Sequence, residues 1–231
     1  MDKILKIGII GCGGIANGKH MPALQKVADC EMVAFCDIVE ERAVLAAKEF
    51  GTENAAVYTD YRELLKDKTI DVVHVCTPNR SHSFITVDAL EAGKHVMCEK
   101  PMGDTLEEAT RLIKLKQELN GFLQIGFELH YSRLYMKAKE WIDQGLIGKV
   151  VNIQTRYLCT VHHAKGSWRS KGKGSFLIGE KLSHYLDLQR WFMGSEPDTV
   201  FSVTSPRVLP YVEYHDNHNI TTRFKNGGVG D

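Results

Sequence analysis

One short run near the start constrains this chain more than any other feature: Gly11-Cys12-Gly13-Gly14-Ile15-Ala16, between an apolar stretch and a helical pattern. A G-x-G-x-x-A run in that context has a physical reading. The first glycine allows a tight turn, the second lets backbone approach a pyrophosphate, and the alanine lets helix and strand pack closely. The phosphates then meet free N–H groups at the helix N-terminus. Gly11, Gly13, Gly14 and Ile15 are therefore candidate dinucleotide-binding residues. Asp37 lies 21 residues after Ala16, at the end of the next strand-like run. A carboxylate there accepts hydrogen bonds from ribose hydroxyls and repels a 2′-phosphate. Ile38 and Val39, rather than a cationic pair, follow it. The pattern favours NAD over NADP.

The pattern continues as a regular alternation. Strands are expected at 5–10, 31–36, 56–59, 71–76, 95–98 and 122–127. Helices are expected at 39–50, 61–65, 81–92 and 105–119. Strands apolar on both faces, alternating with helices, indicate a parallel sheet covered on both sides. Residues 1–127 thus read as a doubly wound Rossmann domain.

Residues 128–231 read differently. A helix is expected at 135–144 and a long alternating strand at 149–161. A Gly/Lys/Ser-rich loop spans 164–175, a helix 180–193, and strands follow at 200–204 and 219–224. This is an α+β domain with a mostly antiparallel sheet. The final Lys225-Asn226-Gly227-Gly228-Val229-Gly230-Asp231 reads as a hairpin turn whose returning strand is missing, so the domain reads as incomplete. A sheet with one open face and an unpaired edge favours pairing with a twin. A homodimer or homotetramer through this sheet is expected.

Composition narrows the partners. Lys plus Arg and Asp plus Glu both number 29. A balanced chain carries no general basic field for nucleic acid or anionic membrane, and neither is expected as a partner. No apolar run approaches a membrane span, and residues 1–6 lack a secretory core. Of the six cysteines, no two are spaced C-x-x-C, so buried free thiols in a reducing cytoplasm are expected.

Three further clusters carry chemistry. Thr77-Pro78-Asn79-Arg80-Ser81-His82 follows the fourth strand, at the sheet edge where open α/β folds bind ligands. Thr77, Asn79 and His82 are candidates there, although Asn79 could simply cap the next helix. Glu99-Lys100-Pro101 follows the fifth strand, where a lysine can bind a substrate hydroxyl or cofactor ribose and stabilise a developing alkoxide. Glu180, His184 and Asp187 fall on one face of a regular helix. A histidine among carboxylates can act as a general base near neutral pH. Adjacent His162 and His163 point to opposite faces of a strand, which disfavours a shared metal, and no metal is expected. Lys165, Arg169, Lys171 and Lys173 make the loop locally basic, read here as a solvated segment.

Taken together these motifs resemble the Gfo/Idh/MocA oxidoreductases. The resemblance rests on the glycine motif, Asp37, the T-P-N-x-x-H run, Glu99-Lys100-Pro101, Ser183-His184-x-x-Asp187-Leu188-x-Arg190-Trp191-x-x-Gly194, Gly145-x-x-Gly148-Lys149-Val150, and Trp168. It implies NAD-linked hydride transfer at a secondary alcohol of a sugar, cyclitol or related polyol, in a cleft between the domains. It implies that Lys100 binds the reacting hydroxyl, that His184 removes its proton, and that Glu180 stands where the family often has aspartate. A cis Lys100–Pro101 peptide is expected. The chain departs from the family where it reads Gly126-Phe127-Glu128-Leu129-His130 in place of a Gly-Phe-Asn-x-Arg-like stretch. Two other readings remain at this point: NAD-dependent glycoside hydrolysis through transient oxidation, and a non-catalytic NAD-binding protein.

Overall fold

A computed structural model describes residues 3–119, 121–158, 165, 170 and 178–231. The chain divides into two units, Met1–Gly126 and Phe127–Asp231.

In the first unit, β1 (Leu5–Ile10), β2 (Cys30–Cys36), β3 (Ala56–Tyr58), β4 (Val72–Val75), β5 (His95–Cys98) and β6 (Leu123–Ile125) form one sheet. Its order is β3-β2-β1-β4-β5-β6, and every pairing is parallel. The strand direction of crossover reverses between β1 and β4, the place where doubly wound sheets open a crevice at their carboxyl ends. The sheet is buried on both faces. Ile7, Ile9, Met32 and Phe35 pack on one side with Ala43 and Ala46 of α2 (Glu40–Phe50). Ile10, Val73, Val75 and Cys98 pack on the other with Leu64, Ile85, Leu90 and Leu112. These last come from α3 (Tyr61–Lys66), α4 (His82–Glu91) and α5 (Leu106–Glu118). The short α1 (Met21–Leu24) continues a π-helical turn, Ala16–His20.

Helix starts follow capping chemistry. The Asp60 carboxylate accepts the Arg62 N–H at 2.9 Å to open α3. Thr105 and Glu108 form a reciprocal capping box at α5. Each orphan N–H satisfied this way stabilises its helix by about 1 kcal/mol.

The second unit contains α6 (Arg133–Asp143) and α7 (Ser183–Met193), preceded by a π-helical turn at Ile178–Leu182. Its strands are β7 (Asn152–Ile153), β8 (Pro197–Thr204), β9 (His218–Phe224) and β10 (Val229–Gly230), in the order β7-β10-β9-β8. Three expectations need correction. Of the long strand expected at 149–161, the described residues form a ladder at Asn152 and Ile153, with flanking backbone bonds at Val151 and Thr155, because pairing needs a neighbour as well as alternation; residues 159–161 lie outside the described residues. The returning strand of the last hairpin is present: Val229–Gly230 is β10, antiparallel to β9 and parallel to β7. It lies inside the sheet, so the edges among the described residues are β7 and β8. The helix expected to begin regularly at 180 begins instead with the π-helical turn.

The chain end is pinned to α7. Gln189 Nε2 donates to the Asp231 carbonyl at 2.8 Å and to Thr155 Oγ1 at 3.1 Å. A Cβ at Gly230 would stand 2.5 Å from Gln189 Oε1, so a larger residue there would push the Gln189 amide from its place. Among the described residues no helix is long and apolar enough to cross a membrane.

Candidate functional site

The Gly11–Ala16 loop leaves β1 at the switch point. Gly11 has φ +93°, and a Cβ there would stand 2.8 Å from the Cys76 carbonyl group. That turn is open only to glycine. Gly13 and Gly14 face open space, with nothing within 4 Å of an added Cβ, and Ile15 is exposed. The loop is held from beneath by Asn17, whose side-chain amide donates to the Cys12 carbonyl at 2.7 Å and the Gly13 carbonyl at 3.0 Å. Asp37 grips it from β2: its carboxylate accepts the Cys12 N–H and the Val39 N–H, each at 2.9 Å. Arg42, on the first turn of α2, lies 4.0 Å from the same carboxylate. An open glycine surface beside a fixed carboxylate fits a dinucleotide.

Three loops meet at the carboxyl edge. Thr77 Oγ1 accepts the Ser81 hydroxyl at 2.8 Å. Asn79 is buried at the start of a tight turn, where Pro78 takes the cap position. His82 is 1 % exposed. Its Nδ1 lies 2.8 Å from the Pro101 carbonyl and its Nε2 2.7 Å from the Thr77 carbonyl. Both ring nitrogens are therefore engaged by the protein, and any contribution to a cofactor runs through the loops His82 joins. The Lys100–Pro101 peptide is cis. Glu99, just past β5, sits 2.7 Å from His20 Nε2 through Oε1 and accepts the Lys100 N–H at 3.2 Å through Oε2.

His20 was not legible as a partner of Glu99, because 79 residues separate them. His74 on β4 packs edge-on against His20, with ring centroids 5.7 Å apart. Burial pushes its pKa down to about 4; the charge on His20 adds to this and Glu99 opposes it. Burial likewise raises the thiols of Cys12 and Cys36 to about 12, Asp37 adding to both, so these are inert rather than nucleophilic. All five described cysteines are free.

In the second unit, His184 opens α7. Its Nε2 lies 3.5 Å from Glu128 Oε2, and its ring meets Phe127 edge-on at 5.9 Å. The His184 side chain is 11 % exposed and that of Glu128 67 %. Three residues on, Asp187 hydrogen-bonds His130 Nε2. The His130 ring stacks on Trp191 at 4.3 Å. The departure at 128–130 is thus built into the surroundings of His184. Glu180 is buried in the π-helical turn. The regular spacing that placed it in line with His184 does not hold through a wider turn. Cys159, His162, His163, Trp168, Arg169, Lys171 and Lys173 lie outside the described residues; Lys165 is exposed.

A family model described as "Oxidoreductase family, NAD-binding Rossmann fold" matches residues 5–127, and the "GFO/IDH/MocA C-terminal domain" matches residues 135–231. The chain belongs to the Gfo/Idh/MocA oxidoreductase family. Inositol 2-dehydrogenase of Salmonella typhimurium is 35 % identical over 198 residues, covering 85 % of this chain and 56 % of that protein. An inositol 2-dehydrogenase/D-chiro-inositol 3-dehydrogenase of Lactiplantibacillus plantarum is 32 % identical over 229 residues, covering 97 % and 63 %. The chain therefore spans somewhat over half the length of these relatives. A crystal structure of scyllo-inositol dehydrogenase from Lactobacillus casei, with bound NAD(H) and scyllo-inositol, superposes with TM-score 0.84. It is 26 % identical and covers 99 % of this chain and 68 % of that one.

Proposed function

We propose that this protein is an NAD-dependent dehydrogenase acting on a secondary alcohol of a cyclitol, with inositols first and sugars or related polyols next. The observation that carries this reading is the match of both halves of the chain to the family's two models, Lys100 lying in the first matched segment and His184 in the second. The inositol dehydrogenase relatives supply the substrate class.

NAD, when bound, supplies the hydride acceptor. Everything else falls to the chain. The backbone at Gly11, Gly13, Gly14 and Ile15 holds the pyrophosphate, and Asp37 accepts the ribose hydroxyls. Thr77, Asn79 and Glu99 shape the adjoining edge. Lys100 holds the reacting hydroxyl, and its positive charge favours the alkoxide. An unprotonated nitrogen of His184 takes the hydroxyl proton, and the Glu128 carboxylate beside it favours the resulting imidazolium. Glu180 binds a neighbouring substrate hydroxyl. The domain roles follow: residues 1–127 for cofactor, 128–231 for substrate and assembly.

The test is NAD reduction followed at 340 nm against a panel of inositol isomers, sugars and sugar acids. A cyclitol should give the highest kcat/KM, with NAD preferred over NADP. No turnover with any polyol, or tighter NADP binding, would overturn the respective claim.

The assembly reading rests on β8, which is exposed along its whole length, Phe201 to 68 %. Phe201 and Val203 pair with Thr221 and Asn219, on the side of β9 opposite buried Thr222 and Phe224. That face fits a second copy of the chain. Light scattering should report a dimer or tetramer; a monomer at micromolar concentration would reject it.

A further inference from the structure

The residues on either side of Lys100 are each met by an imidazole. On one side His20 reaches the Glu99 carboxylate at 2.7 Å, and the other oxygen of Glu99 accepts the Lys100 N–H at 3.2 Å. On the other side His82 lies 2.8 Å from the carbonyl of Pro101. The His20 and Glu99 side chains are only 13 % and 12 % exposed. A pair this well shielded is weakly screened by water and salt. Burial works against the charged form of Glu99. The hydrogen bond and charge of His20, then the charge and N–H of Lys100, outweigh it and keep the carboxyl below its ordinary range.

The parts come from three places in the sheet. His20 closes the π-helical turn after β1, Glu99 follows β5, and His74 lies on β4 between those strands. His74 lies on the face of β4 that carries Val72 rather than the one that carries Val73 and Val75. It stands edge-on to His20, and its Nδ1 has no hydrogen-bond partner among the described residues. The His20 ring is thus backed by a second ring and aimed at one carboxylate.

We infer that His20 is a positioning residue for Lys100, acting through Glu99 to fix the backbone from which the lysine side chain starts. The inference rests on the proposed dehydrogenase reading for the use to which Lys100 is put. The positioning itself does not require cofactor or substrate. A displacement of about 1 Å at a reacting group can cost on the order of 100-fold in rate, so a small slackening of this loop is measurable.

Three variants separate positioning from general stability. In His20→Gln the amide nitrogen reaches roughly where the imidazole Nε2 stands and can still donate to Glu99. In His20→Asn the donor is too short, and in His20→Ala it is gone. Two readouts apply. The first is steady-state kinetics: kcat should fall about 10- to 100-fold in the Asn and Ala variants, with the KM for NAD within about threefold, and the Gln variant should recover most of the loss. The second is competitive acetic anhydride labelling of Lys100 in cofactor-free protein, read by peptide mass spectrometry across pH. The Lys100 labelling profile should change in the Asn and Ala variants and return in the Gln variant. Wild-type Lys100 reactivity in all three variants would overturn the inference. So would a Gln variant no better than the Asn variant, which also decides the matter where the Ala variant does not fold. A wild-type protein that oxidises no polyol would defeat the dehydrogenase reading alone, because the labelling result stands without turnover.

Discussion

Two histidine–carboxylate pairs, His20–Glu99 in the first unit and His184–Glu128 in the second, differ in their access to water. In the first unit His20 and Glu99 are both shielded and 2.7 Å apart. In the second, His184 is equally shielded but Glu128 is largely exposed, and the separation is 3.5 Å. A closed pair suits a fixed task, because each charge depends on the other and neither is easily replaced by solvent. An open pair suits a group that must gain and lose a proton at every turnover, because water can compensate the change. Under the proposed reading the difference separates holding from exchanging: the closed pair adjoins Lys100, and the open pair contains His184.

The sharpest way to break this contrast is to remove the two served residues. Lys100→Ala and His184→Ala should each lower kcat by about two to four decades. NAD affinity measured by calorimetry should change little. Near-normal turnover in either variant would remove that residue from the chemistry.

Next in size is the response of the closed region to acid. His74 has a folded-state pKa depressed to about 4 by burial, with His20's charge adding to it. The unfolded chain, with an ordinary histidine value of about 6.5, binds a proton first as pH falls. Stability is therefore present above about pH 6.5, is lost between there and about pH 4, and changes no further from this group below that. The contribution is at most about 3 kcal/mol. His74→Val should flatten that part of the stability profile in denaturant titrations, and an unchanged slope would show that the ring is solvated.

The smallest effect belongs to the open pair. Glu128→Gln removes a charge that favours protonated His184. The acidic limb of the pH–rate profile should move to lower pH, and kcat should fall by about three- to tenfold. Because Glu128 is exposed, high salt should mimic part of this change in the wild type. A profile insensitive to both would place Glu128 outside the proton path.

The Rossmann half was legible because its strands are buried on both faces, and such strands read as continuous apolar runs such as Val72-Val73-His74-Val75. The glycine turn and the Glu99-Lys100-Pro101 loop were legible because both are contiguous in sequence. The second half hid more. Residues 149–161 alternate like a strand, but among the described residues the regular strand β7 is confined to Asn152–Ile153, which no local pattern reveals. The π-helical turn before α7 was invisible because a helical period assumed at Glu180 extends smoothly into His184. His20, Asn17 and His130 were missed because their partners, or their roles, are set by topology and turn geometry rather than spacing.

The tether of Asp37 to the glycine loop bears on redesign. Both carboxylate oxygens already hold backbone N–H groups, one of them belonging to Cys12 inside the loop. Exchanging this acid for a small neutral residue, the usual first move toward accepting a phosphorylated ribose, would also remove one of the loop's ties, leaving the Gly11 N–H on the Cys36 carbonyl. Arg42 lies 4.0 Å from the same carboxylate. A reprogrammed variant would therefore need a new anchor for Cys12 before it needed a new cation, and Asp37→Asn, whose one amide oxygen can keep the Cys12 N–H at the loss of the Val39 bond, is the better starting point.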